Sequence, residues 1–242
     1  MKMASKTDKG LQRNSNQDSY AVGELPGEAA WAVVCDGMGG ASGGSVASTT
    51  AVKSISEHIS SGYRPGMGSN SIRNLLQSAV SAANLTVFDM SKSIKNLAGM
   101  GTTVVACMLV DSIAHIVHAG DSRAYLLSGG KLTQLTRDHS IVQSMIESGH
   151  LTEAQARVHP RKNVITSALG VDEALQMDYD EVELAQGDAI FICTDGLTNY
   201  LETDEILSIV DRTGFYECPD ALIERANQNG GGDNITVVLV AQ

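Results

Sequence analysis

Strand-like and helix-like periods come in blocks along this chain of 242 residues, and that order narrows the fold more than any single motif. Residues 19–22 and 30–35 read as two strands joined at a Pro26-Gly27 turn. Ala47, Ala51, Val52, Ile55 and Ile59 then fall on one helical face, and Ile72, Leu75, Leu76, Ala79, Ala83, Val87, Met90 and Ile94 make a longer stripe. Residues 62–69, with three glycines and a proline, continue neither helix. From Thr102 the period becomes that of a sheet. Residues 102–110, 113–119, 123–127 and 131–135 read as a meander of antiparallel strands, turning at Asp111-Ser112, Gly120-Asp121 and Gly129-Gly130. A helix over 140–148 ends at Gly149, and Thr152-Glu153-Ala154-Gln155 has the capping-box pattern that opens another. Strands return at 175–184 and 189–193, helices at 202–210 and 219–227, and a last strand starts at Ile235. Blocks of this kind, without βαβ alternation, predict an α+β fold of antiparallel sheets covered by helices rather than a doubly wound parallel sheet.

The 43% hydrophobic content supports a sizeable core, and no break in composition divides the chain, so one domain over 1–242 is expected. With 28 acidic against 17 basic side chains and a formal charge of -11, the chain lacks the basic footprint of a nucleic-acid binder. Cys35, Cys107, Cys193 and Cys218 are far apart, and three lie in strand-like runs, which fits buried, reduced thiols of a cytoplasmic protein. No apolar stretch suggests a secretory leader or a membrane span. Without a coiled-coil feature, a monomer is the expectation.

Three Asp-containing turns adjoin apolar runs: Asp36-Gly37-Met38-Gly39-Gly40, Thr194-Asp195-Gly196 and Gly232-Asp233-Asn234. If their strands share one sheet, the three carboxylates meet at its edge and suit a hard divalent ion such as Mg²⁺ or Mn²⁺. A fourth acidic turn, Gly120-Asp121-Ser122-Arg123, follows the strand over 113–119. Each turn alone is explained by the ordinary turn preference of Asp and Gly; four together are harder to explain that way.

These segments, with Gly10-Leu11-Gln12-Arg13-Asn14-Ser15-Asn16-Gln17-Asp18, Gly101-Thr102-Thr103, Asp138-His139-Ser140 and His159-Pro160-Arg161, stand in the order found in the metal-dependent Ser/Thr protein phosphatases. Across nearly its whole length the chain resembles the compact bacterial members of this type 2C (PPM) family. The resemblance implies a four-layer αββα sandwich, with two central antiparallel sheets flanked by helices. It implies hydrolysis of phosphoserine and phosphothreonine in proteins, opposite a cognate Ser/Thr kinase, by direct attack of a hydroxide bridging two Mn²⁺ or Mg²⁺ ions. Uncatalysed phosphate-monoester hydrolysis is slow enough that enzymes supply accelerations of about 10²¹, more than positioning alone provides.

By the same resemblance Asp36, Asp195 and the backbone carbonyl of Gly37 hold the two ions, and Asp233 completes one shell. Asp18 hydrogen-bonds metal-bound water, Asp121 shares a third, weaker ion with Asp195, and Arg13 grips the substrate phosphate. A planar, permanently charged guanidinium suits that last task. Residues 137–170 correspond to a flap beside the active site, where substrate selection is expected. One departure concerns the leaving-group proton. Eukaryotic relatives carry His after the first Asp-Gly, and this chain has Met38, which cannot donate a proton; metal-bound water, His139 and His159 are the substitutes. His58, His115 and His118 read as structural.

Two other readings compete. The glycine-rich run from Asp36 to Ser45 lacks both the Lys-Ser/Thr ending of a P-loop and the glycine spacing of a dinucleotide fingerprint. A pseudophosphatase, using this fold as a regulatory binding module without turnover, is disfavoured by the joint presence of Arg13, Asp18, Asp36, Asp195 and Asp233.

Overall fold

The computed structural model describes residues 1–242, the side chain of Ala41 excepted. Three strands, β1 (Lys2–Asp8), β2 (Asp18–Leu25) and β3 (Ala29–Met38), lead into two long helices, α1 (Gly40–Gly62) and α2 (Ser69–Ser93). After a 3₁₀ turn at Lys95–Leu97 come β4 (Gly101–Thr102), β5 (Val104–Val110), β6 (Ile113–Ala119), β7 (Arg123–Ser128) and β8 (Lys131–Gln134). Residues 137–170, where a flap is expected, hold α3 (Ile141–Glu147) and α4 (Glu153–Arg157). The chain closes with β9 (Asp178–Glu183), β10 (Ala189–Cys193), α5 (Asp195–Thr198), α6 (Thr203–Val210), α7 (Cys218–Gln228) and β11 (Ile235–Ala241).

Two sheets form, in the orders β1-β11-β10-β7-β8 and β2-β3-β5-β6-β9, with β4 joined to β3. Every pairing between these strands is antiparallel. The residues of β3 explain its place in the middle of the molecule. Trp31, Val33 and Cys35 pack with Ile55, Ile59, Leu76 and Val80 of α1 and α2, while Ala30, Ala32 and Val34 face Ile190, Ile192, Val238 and Val240 of the opposite sheet. A strand buried on both faces reads as a continuous apolar run rather than an alternating one. On the far side, Ile235, Val237 and Leu239 of β11 pack against Ile206 of α6 and Leu222, Ile223 and Ala226 of α7. Three apolar layers thus separate four structural layers, and the expected αββα sandwich is observed.

Local signals explain the helix ends. Thr152 and Gln155 complete the capping box that starts α4, and Pro219 occupies the first turn of α7, where its missing N–H costs nothing. All four cysteines are free and buried. Among the described residues, no helix is long and apolar enough to cross a membrane.

Two sequence expectations need correction. The run from 102 to 135 is not one meander: β5 and β6 pair in one sheet, β7 and β8 in the other, and the chain crosses between sheets at Gly120-Asp121-Ser122. The strands beside Asp36, Asp195 and Asp233 do not share a sheet either. β3 belongs to one and β10 and β11 to the other, so the site lies between two sheet ends instead of along one edge. The amino-terminal strand β1 goes unsignalled because it is an edge strand with exposed lysines, which reads as a polar start.

Candidate active site

Asp18 begins β2 and stands opposite Asp36 in the β2–β3 register. Its Oδ2 accepts hydrogen bonds from Thr194 Oγ1 at 2.9 Å and Thr236 Oγ1 at 2.7 Å, both belonging to the opposite sheet side of the sandwich. Asp18 is therefore a polar bolt between the sheets. Thr194 Oγ1 also accepts from Thr236 N at 3.0 Å, which ties the residue before Asp195 to the strand that follows Asp233.

Asp36 is held through its backbone. Its N–H donates to Thr103 Oγ1 at 3.0 Å, and its carbonyl accepts from Thr102 Oγ1 at 2.8 Å and Thr103 N at 2.9 Å. The Thr103 hydroxyl also bonds Ser122 Oγ at 2.8 Å. Gly101-Thr102-Thr103 is thus the clamp that sets Asp36 against the Asp121 turn. Gly37 is required by crowding: a Cβ there would lie 2.1 Å from Gly44 O and 2.6 Å from Gln17 O, so the strand end and α1 meet backbone on backbone.

Asp233 accepts from Asn234 N at 2.8 Å and from Arg13 Nη2 at 2.7 Å. Asn234 turns the other way: its side chain donates to Lys9 O and Ser15 O and accepts from Gln17 N. The Asp-Asn pair thereby presents an acid to the site and pins the loop that carries Arg13. Asp195 opens α5, and one turn later Asn199 Nδ2 donates to its Oδ2 at 2.9 Å.

The convergence of acids is costly without a cation. Burial first, then the charges of Asp18, Asp195, Asp121 and Asp233, pushes Asp36 well above the usual carboxylate range. Burial followed by Asp195 and Asp138 does the same to Asp121, and burial followed by Asp233 raises Asp195. Asp18 is pushed up to about 7, chiefly by burial, against the pull of its two threonine hydrogen bonds. Arg13, bonded to Asp233, is held more firmly protonated than usual by that hydrogen bond. Asp18 Oδ1 and Asp195 Oδ1 are buried without a hydrogen-bond partner. An oxygen-only donor set with orphaned, desolvated lone pairs fits hard divalent cations.

A second group, His118, His139 and Asp178, brings three potential ligand atoms within 4.8 Å of one another. Its hydrogen bonds oppose a metal. His139 Nδ1 accepts from Gly120 N at 3.3 Å, so the ring proton sits on Nε2, which faces Asp178 Oδ2 at 3.2 Å. A metal on Nε2 would move that proton to Nδ1, against the Gly120 amide. His139 is also 4% exposed with both nitrogens engaged, which removes it as a leaving-group proton donor. His159 sits after α4, its Nδ1 accepting from Arg161 N. His115 is bonded to Tyr179 Oη, whereas His118 donates through Nε2 to Arg137 O and keeps its Nδ1 buried without a partner.

Between the acids and residues 137–170 lies a cavity of about 230 Å³, lined among others by Asp121, Asp195, Asn199, Val142, Arg157 and Lys162. Sequence reasoning named Asp18 and Asp195 but missed the hydroxyls of Thr194 and Thr236 and the amide of Asn199. Thr194 stands inside a quoted motif, Thr236 lies two residues past Asn234 of another, and Asn199 is four residues past Asp195, on the same helical face.

An αββα sandwich with a cluster of acids between its two sheet ends, Asp18 buried and Asp36, Asp121, Asp195 and Asp233 half-buried, defines the class: metal-dependent protein phosphatases. The protein phosphatase 2C family model matches residues 10–237, and the chain belongs to that family. It is 37% identical to the serine/threonine phosphatase Stp of Listeria monocytogenes serotype 4b over 97% of this chain and 93% of that one. Serine/threonine phosphatase Stp1 of Staphylococcus aureus is structurally similar, with a TM-score of 0.93 and 29% identity over 99% of this chain and 94% of the other. The catalytic domain of the serine/threonine protein phosphatase PstP, solved with two manganese ions, gives 0.87 and 32% over 98% and 96%.

Proposed function

We propose that this chain hydrolyses phosphoserine and phosphothreonine monoesters of proteins, in opposition to a cognate Ser/Thr kinase, as a single catalytic domain over 1–242. The observation that carries this reading is the meeting of Asp18, Asp36, Asp121 and Asp195, all with raised carboxyl pKa values, beside the Asp233–Arg13 pair. Serine/threonine phosphatases among its relatives, one with two manganese ions, support it.

Asp36, Asp195, Asp233 and the Gly37 carbonyl would hold two divalent ions, Mn²⁺ or Mg²⁺, and Asp121 with Asp195 a third, weaker one. Such ions, when bound, supply positive charge that acidifies water and offsets the phosphoryl charge. The chain's own residues do the rest. Asp18, immobilised through Oδ2 by two threonines, has a buried, unpartnered Oδ1 that would accept a hydrogen bond from water held in the metal site. Arg13, 51% exposed and attached through one nitrogen, keeps its other donors for the non-bridging oxygens of the substrate phosphate. Met38 offers no proton to the departing serine or threonine oxygen, and His139 is committed elsewhere, which leaves water in the site and His159, engaged only through Nδ1, as the sources of that proton. The flap over 137–170 walls the cavity on the side where the substrate peptide would lie.

The test is release of phosphate from an aryl phosphate and from a phosphothreonine peptide by the purified protein with Mn²⁺, reversed by a chelator. Folded, Mn²⁺-loaded protein that turns over neither substrate would overturn the reading and leave the regulatory binding module.

A further inference from the structure

Asp121 lies in the crossing between the sheets, and two consecutive residues at the root of the flap grip that crossing from either side. Asp138 binds Arg123 with a two-pronged ion pair, Nε to Oδ1 at 2.8 Å and Nη2 to Oδ2 at 2.7 Å. His139 binds Gly120 twice: its N–H donates to Gly120 O at 2.8 Å, and its Nδ1 accepts from Gly120 N. Gly120 has φ of 106°, and a Cβ there would lie 2.6 Å from Thr103 Cγ2, so the turn has one backbone geometry and an amide that no strand partner satisfies. His139 is itself fixed by Asp178 on Nε2 and by stacking on His118 at 4.8 Å between ring centroids. The flap's returning segment is anchored to the same places. Thr166 N donates to His139 O, and Leu169 pairs with Thr102, the residue that holds the Asp36 carbonyl.

We propose that Asp138 and His139 are positioning residues that make the flap and the Asp121 turn one mechanical unit, so that loading of the weak cation site and ordering of the flap are coupled. The ring nitrogen of His139 sets the Gly120 amide, the amide sets the turn, and the turn aims the Asp121 carboxylate; because the same residue begins the flap, a change at either end is felt at the other, and the coupling is reciprocal. This rests on Asp121 being a cation ligand, as proposed above.

The experiment uses the full chain and Mn²⁺ alone as probe, with calorimetric titration to count and rank the sites and tryptic cleavage after Arg157 or Arg161 to report on the flap. The Asp121→Ala variant should lose the weakest Mn²⁺ site; if it loses none, the assignment of Asp121 fails and the coupling with it. Given that loss, His139→Ala should weaken the same site by about tenfold, as removal of a ligand-orienting partner does, and should abolish the protection of the flap that Mn²⁺ gives the unaltered protein. His139→Asn, whose Oδ1 replaces Nδ1 as acceptor for Gly120 N, should restore both properties. His139→Gln, which reaches towards Asp178 but offers Gly120 nothing, should not. Unaltered weak-site affinity in His139→Ala, or in His139→Gln where the alanine variant does not fold, overturns the coupling while leaving Asp121 as a ligand.

Discussion

Replacing Asp18 by asparagine isolates the electrostatic cost of the acid cluster. The substitution keeps the shape of the side chain: the amide oxygen can still accept from Thr194 and Thr236, and the amide nitrogen takes the place of an oxygen that has no partner. What it removes is a carboxyl raised from 3.8 to about 7, first by burial and then by the charges of Asp195 and Asp233, against the two threonine bonds. Between those two values the folded protein keeps a proton that the unfolded chain has released. The contribution of Asp18 to stability is therefore fully present below about pH 4 and is lost as pH rises through about 7, at about 1.4 kcal/mol per pH unit. Over the whole window that amounts to about 4 kcal/mol, an upper bound because neighbouring carboxyls share the proton. A bound divalent cation removes the effect by favouring the ionised form. The assay is urea unfolding of chelator-treated protein at pH 5 and pH 8, where Asp36, Asp121 and Asp195 push in the same direction. The wild type should be less stable at pH 8 than at pH 5, and Asp18→Asn should lose clearly less. Mn²⁺ should abolish the wild-type slope, while turnover by the variant falls by about 10- to 100-fold, as for other groups that orient metal-site partners. Parallel stability lines for the two proteins would refute the argument.

Arg13→Ala should raise KM for an aryl phosphate more than it weakens Mn²⁺ binding, measured by initial rates and by calorimetry; an unchanged KM sinks the phosphate-gripping role. Thr103→Val keeps the shape but strips the hydroxyl that accepts from Asp36 N and bonds Ser122, which should cost about 1–3 kcal/mol for buried groups left unpaired and lower the thermal midpoint. Gly37→Ala drives a methyl against two backbone oxygens. It should cost about 3 kcal/mol or more by overpacking, read by urea unfolding, and a neutral result would mean that α1 can retreat from the strand. Deletion of residues 149–157 should change the ranking of phosphopeptide substrates without abolishing hydrolysis of the aryl phosphate, and an unchanged ranking would remove substrate selection from the flap.

The parts of this protein visible in its sequence are those governed by local rules. Doubly buried strands such as β3 and β10, the stripes of α1 and α2, and the capping box of α4 each write their environment into neighbouring residues, and the structure has them where the periods put them. The identities of the acids were legible for a similar reason, since each stands at or near a strand end in a run with the Asp and Gly that mark such ends. Their arrangement was not. Periodicity tells a strand which face is buried but not which sheet it joins, so the crossing at Gly120-Asp121-Ser122 looked like one more hairpin turn in a meander. That crossing is what carries Asp121 from one sheet to the other and lets it approach Asp195. The supporting roles of the groups that fix the acids were equally hidden, even where the residues stand in quoted motifs: Thr194, Thr236 and Thr103 are ordinary β-formers by propensity, and only long-range contacts, from Thr194 and Thr236 to Asp18 and from Thr103 to Asp36, turn them into supports. An acid cluster therefore shows its members in the chain, whereas the threonines and glycines that allow like charges to be held together become apparent only after the two sheets have met.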